Sequence, residues 1–178
     1  MADSPVRLDK LIIMRRLTAM IESVTDFSYV DEEGVTRSVT YDLTGRVYRG
    51  RKTVSVVDAK DAVSILEAPR SIVGDPAGLE GVLRGEPWTL NIQGWPVEDR
   101  ENPSDPAYVM AAAVRQRLSS LIAVSRETGE AVNSDEFRFG NIVNSVAFGA
   151  TIVVPPTEGL SAVTFWYIPL IISLVQRT

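Results

Sequence analysis

Between residues 7 and 24 the apolar positions recur at helical spacing. Ile13, Leu17, Met20, Ile21 and Val24 fall at i, i+4, i+7, i+8 and i+11, one stripe of a 3.6-residue period. Lys10, Arg15, Arg16 and Glu22 lie mostly off that stripe, so the pattern predicts an amphipathic helix over 7–23, with Ser4-Pro5 as its start signal. The period then shortens to two. Residues 27–30 read as a short strand, Asp31-Glu32-Glu33-Gly34 as a polar turn, and 35–41 as the returning strand. Residues 42–51 continue as extended or loop structure, and 62–67 are β-like, with Pro69 as the stop.

The clearest interior strand is 88–95. Trp88, Leu90 and Ile92 point one way, while Thr89, Asn91, Gln93 and Trp95 point the other. An acidic turn follows over 96–104, and Asp105-Pro106 opens a second helix as N-cap and first helical residue. Ala107, Ala111, Val114, Leu118 and Leu121 form its buried stripe, and Gly129 closes it or follows soon after. The last third is β-rich: 142–154 stops at Pro155-Pro156. The run 163–176 is apolar on both faces, as a central strand is, with Pro169 forcing a bulge or a break. These elements predict an α+β fold, a mainly antiparallel β-sheet with two principal α-helices packed on it. Residues 1–178 read as a single domain. Gly74 and Gly85 bound a glycine-rich stretch, read as an inserted loop around 71–87.

Composition narrows the chemistry. The 178 residues include neither Cys nor His. Thiol nucleophiles and zinc-thiolate sites are thereby excluded, and so are the constellations that rely on histidine as general base or metal ligand. No Gly-x-Ser-x-Gly, phosphate-binding loop or dinucleotide fingerprint occurs. The expectation is a protein that is not an enzyme, with no catalytic residue, cofactor or metal. A net charge of −5 argues against a chain whose main task is to grip nucleic acid. No signal-peptide pattern opens the sequence, and the most apolar run, 162–175, is shorter than the roughly 20 residues that span a bilayer. The expectation is therefore a soluble protein without a membrane partner.

Three groups of residues invite a functional reading. Glu98, Asp99, Glu101 and Asp105 could converge on a divalent cation, but they match no calcium-loop spacing, and acids ahead of a helix stabilise its dipole unaided. Arg46, Arg49, Arg51 and Lys52 form a basic cluster. It reads as a docking patch for an acidic protein surface, as a phosphate contact, or as a strand edge protected by charge. Trp95 and Trp166 lie on strands with aromatic residues on both faces. Either both faces of the sheet are covered within the chain, or one meets another subunit.

Several segments taken together resemble the tail terminator, or tail completion, proteins of tailed bacteriophages. They are Arg46-Val47-Tyr48-Arg49-Gly50-Arg51, Ser64-Ile65-Leu66-Glu67, Trp88-Thr89-Leu90-Asn91-Ile92-Gln93-Gly94-Trp95 and Asn102-Pro103-Ser104-Asp105-Pro106-Ala107-Tyr108. The order of helix, strands, strand-turn-helix and closing β segments is also similar, and the likeness is densest over 46–122. The chain departs from the family's pattern over 52–60, which lacks the expected glycine and proline, and in its greater length. The resemblance implies a structural virion protein of the tail's neck region, assembled in the host cytoplasm. Its copies form a ring, usually a homohexamer, on the last ring of the tail tube protein. That ring stops polymerisation and offers a surface to the head completion protein, and DNA passes through the channel without sequence-specific binding. Arg46, Arg49, Arg51, Trp95 and Trp166 are the protein-interface candidates. The same residues are compatible with another neck or tail component, a head completion protein or tube subunit, and with a binding domain unrelated to phages.

Overall fold

The computed structural model describes residues 8–52, 60–68, 87–97, 99–157 and 162–174. Of the expected inserted loop only Pro87 falls among them, and of the divergent stretch 52–60 only Lys52 and Lys60 do. Two principal helices are present, α1 (Asp9–Glu22) and α2 (Asp105–Leu118), with a short helical turn at Arg138–Asn141. The described strands are β1 (Asp26–Val30), β2 (Thr36–Thr40), β3 (Val47–Arg49), β4 (Ala62–Glu67), β5 (Pro87–Trp95), β6 (Val143–Phe148), β7 (Ile152–Val154) and β8 (Phe165–Leu174). The fold is α+β. One sheet runs β3-β4-β5-β8-β6, and β7 pairs with β8 beyond β6. All its pairs are antiparallel except β3 with β4, so the sheet is mixed. Among the described strands β1 and β2 pair only with each other, as a separate hairpin.

Both helices cover one face of this sheet. Ile13, Leu17, Met20 and Ile21 of α1 are buried, as the helical stripe requires. The buried residues of α2 include Ala107, Ala111, Val114 and Leu118, with Met110 and Ala113 beside them. Their small side chains let α2 lie close against Leu90, Ile92, Ile168 and Leu170 in one continuous core. Each fully buried Leu or Ile there contributes about 1.5–3 kcal/mol over its exposed state. α2 begins one residue earlier than its sequence suggests: Ser104 precedes it without a side-chain cap, and Asp105 and Pro106 are its first two residues. Leu121 is buried in a 3₁₀ turn after α2, and Gly129, with φ of 70°, closes the following loop and not the helix.

Pro169 lies in the middle of the central strand β8 without breaking it. Its carbonyl accepts the Gly149 N–H at 2.8 Å, so Pro169 turns its hydrogen-bonding side, and hence its missing N–H, toward the β6–β7 edge. The β5–β8 ladder is therefore uninterrupted, and the irregularity falls on the neighbour, where residues 149–151 separate β6 from β7. Arg115 from α2 donates to the Gly149 carbonyl at 2.9 Å and lies 5.5 Å from the Phe148 ring, which ties this interruption to the helix layer.

Candidate functional site

β3 is the outermost described strand at one end of the sheet, and it carries the basic cluster. The cluster divides in two. Arg46 is half-buried, and its guanidinium donates to the Asp61 carbonyl at 2.7 Å and the Lys60 carbonyl at 3.3 Å, holding the chain just before β4. Arg46 thus has a structural role that the sequence did not reveal. Arg49, Arg51 and Lys52 are exposed, and the Arg51 guanidinium lies 4.4 Å from the Tyr48 ring. This is the charged strand edge foreseen as one reading, and none of these three cations pairs with a described carboxylate.

The two tryptophans also differ. Trp166 is fully buried and points to the core face with Ile168, Leu170 and Ile172. Its indole rests on Gly94, its partner across β5 and β8. Of the two roles open to Trp166, it takes the core one, and a side chain with no exposed surface cannot meet another subunit in this conformation. Trp95 is half-buried on the outer face of β5. That face is closed over β4, where Ala62 and Ser64 are buried, and opens along β8. There Ala147, Ile152, Phe165, Tyr167, Pro169 and Ile171 form an apolar stretch, with Ile152 and Ile171 each 40% exposed. No described helix packs on it.

The β1–β2 hairpin stands beside α2. Phe27, Tyr29 and Arg37 face Tyr108, Val109 and Ala112 across an open groove. The opposite flank carries Ser28, Val30, Thr36 and Ser38, all exposed, with Ser28 and Ser38 joined by a 2.8 Å hydrogen bond. The tip is held by Asp31. One of its carboxylate oxygens accepts the N–H groups of Glu33 and Val35 at 3.0 and 2.8 Å, and the other accepts Arg37 Nε at 2.8 Å. The hydrogen bond from Arg37 is the main reason the Asp31 carboxyl sits below its usual range, and the same bond raises Arg37. Gly34 completes the turn at φ of 78°, a conformation that suits glycine. Glu32 and Glu33 project from this fixed turn into solvent.

A second polar cluster joins α1, α2 and the segment before β6. Arg117 donates to both Glu136 oxygens at 2.8 and 2.7 Å and to Ser23 Oγ at 2.8 Å. Arg16 donates to the Phe139 carbonyl. This anchors a left-handed turn in which Arg138, Phe139, Gly140 and Asn141 all have positive φ. Phe139 is buried, so the turn delivers an aromatic ring into the core.

The acidic turn holds no convergent carboxylates among the described residues. Asp99 accepts the N–H groups of Glu101 and Asn102, and Glu98 lies outside the described residues. Sequence reasoning missed the ordering of the tip by Asp31 and the anchoring roles of Arg115 and Arg117. No helix among the described residues is long and apolar enough to cross a membrane. No protein-family model matches the chain, and no curated protein matches its sequence.

Proposed function

We propose that the chain is a structural virion protein whose copies close into a ring, six by the family resemblance, at the head-proximal end of a phage tail tube. The ring stops tube polymerisation and provides the head-joining surface. DNA passes through its channel without base-specific contacts, for which a chain of net charge −5 is suited. The observation that carries the reading is the open apolar stretch on the outer face, from Ala147 and Ile152 to Tyr167 and Ile171. The helices cover the other face, so a neighbouring molecule is the natural cover for this one. A copy of the same chain, applied head to tail, closes into a ring when the rotation per subunit divides a full turn. Particles assembled without this chain test the proposal. Over-long tails without heads are expected, and tails of normal length joined to heads would overturn it.

A further inference from the structure

We infer that the tip of the β1–β2 hairpin docks on the exposed β3 edge of a neighbouring copy, Glu32 and Glu33 against Arg49 and Arg51. The inference rests on the ring reading above and gives it a specific contact.

Four observations support it. The hairpin pairs with no other described strand; Phe27 and Val39 anchor its base on the core, while the tip extends beyond it with Val30, Glu32, Glu33 and Val35 exposed, the shape of an arm. Its tip is ordered before any contact, because Asp31 holds the turn through the Glu33 and Val35 N–H groups and Arg37. Docking it therefore costs little further ordering. Val30 and Val35, 65% and 45% exposed, flank the acids and give the tip apolar surface to bury. Finally, β3 offers the complement: an outer strand bearing Arg49, Arg51 and Lys52, with Arg51 braced on Tyr48.

Charge accounting favours a second copy as the occupant. The only described ion-pair partner of the tip acids is Arg37, and neither Arg49 nor Arg51 pairs with a described carboxylate. Tip and edge are thus complementary surfaces of one chain that leave each other unpaired within it. Contact of this type is head to tail, the geometry that generates rings. Opposite charges at tip and edge also favour this register over dockings that set the tip acids against other carboxylates.

The experiment uses two charge-reversed full-length chains, Glu32→Lys/Glu33→Lys and Arg49→Glu/Arg51→Glu, with assembly followed by analytical ultracentrifugation at low salt. All four side chains are exposed, and circular dichroism confirms folding. If a reversed chain fails to fold, Glu32→Gln/Glu33→Gln and Arg49→Gln/Arg51→Gln replace the pair, the mixture is omitted, and weaker assembly of each neutral chain alone is the readout. Each reversed chain alone is expected to need about tenfold more protein, or greater, to reach half-assembly. An equimolar mixture should restore it, since the basic tip of one then meets the acidic edge of the other. If the parent assembles and the reversed chains assemble equally well, this contact is overturned while the ring stands. Failure of the mixture to recover also overturns it. A parent that stays monomeric into the millimolar range overturns the contact as well, and the ring reading is then decided separately by tail morphology.

Discussion

Replacing Gly94 with alanine tests the packing at the centre of the sheet. A Cβ at Gly94 would stand 2.2 Å from Trp166 Cζ2 and 2.3 Å from Cε2, where ordinary contact begins near 3.4 Å. The indole would have to retreat by about 1.2 Å, the difference between 3.4 and 2.2 Å, and Trp166 is fully buried in a filled core. Overpacking of this kind costs about 1–3 kcal/mol. Replacing glycine in a strand returns about 0.5–1 kcal/mol of backbone entropy, and since so close an overlap falls at the upper end of the overpacking cost, a net loss of about 2 kcal/mol is expected. In a chain of this length that lowers Tm by about 4–8 °C. Urea unfolding followed by far-UV circular dichroism measures the change. Trp166→Leu alone should also destabilise, through the cavity it leaves. The double variant should be less destabilised than the sum, by at least about 0.5 kcal/mol, because the added methyl enters the vacated space. A Gly94→Ala midpoint equal to the parent's, or strict additivity in the double variant, would refute the stacking of indole on glycine.

Ile92→Asp should abolish folding, because Ile92 is fully buried and an unpaired carboxylate there costs several kcal/mol; a parent-like melting curve would mean that β5 presents its other face to the core. The hydrogen bond from Arg117 is the main cause holding the Glu136 carboxyl below its usual 4.5, and that from Ser120 adds to it. A depressed carboxylate contributes stability that is present above its unfolded value and is lost as pH falls through the folded one. Parent and Glu136→Gln should therefore differ most in urea midpoint near neutrality and converge below about pH 4.5, whereas a constant offset would contradict the ion pair. Gly140→Ala should cost about 1–2 kcal/mol, because φ is +66° and the new Cβ would lie 2.9 Å from Arg16 Nη1. An unchanged midpoint for Gly140→Ala would show that the 138–141 turn is not left-handed.

The elements that a single period defines were legible in the sequence. The Ile13–Leu17–Met20–Ile21 stripe and the alternation from Trp88 to Trp95 depend only on local spacing, and the structure buries those positions. The hairpin pairing of 27–30 with 35–41 was legible from its tight polar turn, whereas the pairings of the main sheet were not. β3 is three residues long, too short for a period, and nothing local says that it runs parallel to β4. Alternation over 27–41 marks strands but not whether they join the main sheet, and the hairpin does not. Pro169 gave warning of an irregularity, yet its carbonyl direction, which depends on pairing, moved that irregularity to the adjacent strand. Gly140 and Asn141 are residues that tolerate positive φ, but Arg138 and Phe139 beside them gave no hint of a left-handed turn. The basic cluster was visible by composition, whereas the division of Arg46 from Arg49 and Arg51 required the position of the Lys60 and Asp61 carbonyls.

The most direct test of the ring is a reconstruction of the neck region of the finished virion by electron cryomicroscopy. Under the proposed function, several copies of this chain, six by the family resemblance, are expected in one closed ring on the last ring of tail tube protein, with the outer face of β8 buried between neighbours. A single copy at that position, or a neck from which the chain is absent, would contradict it.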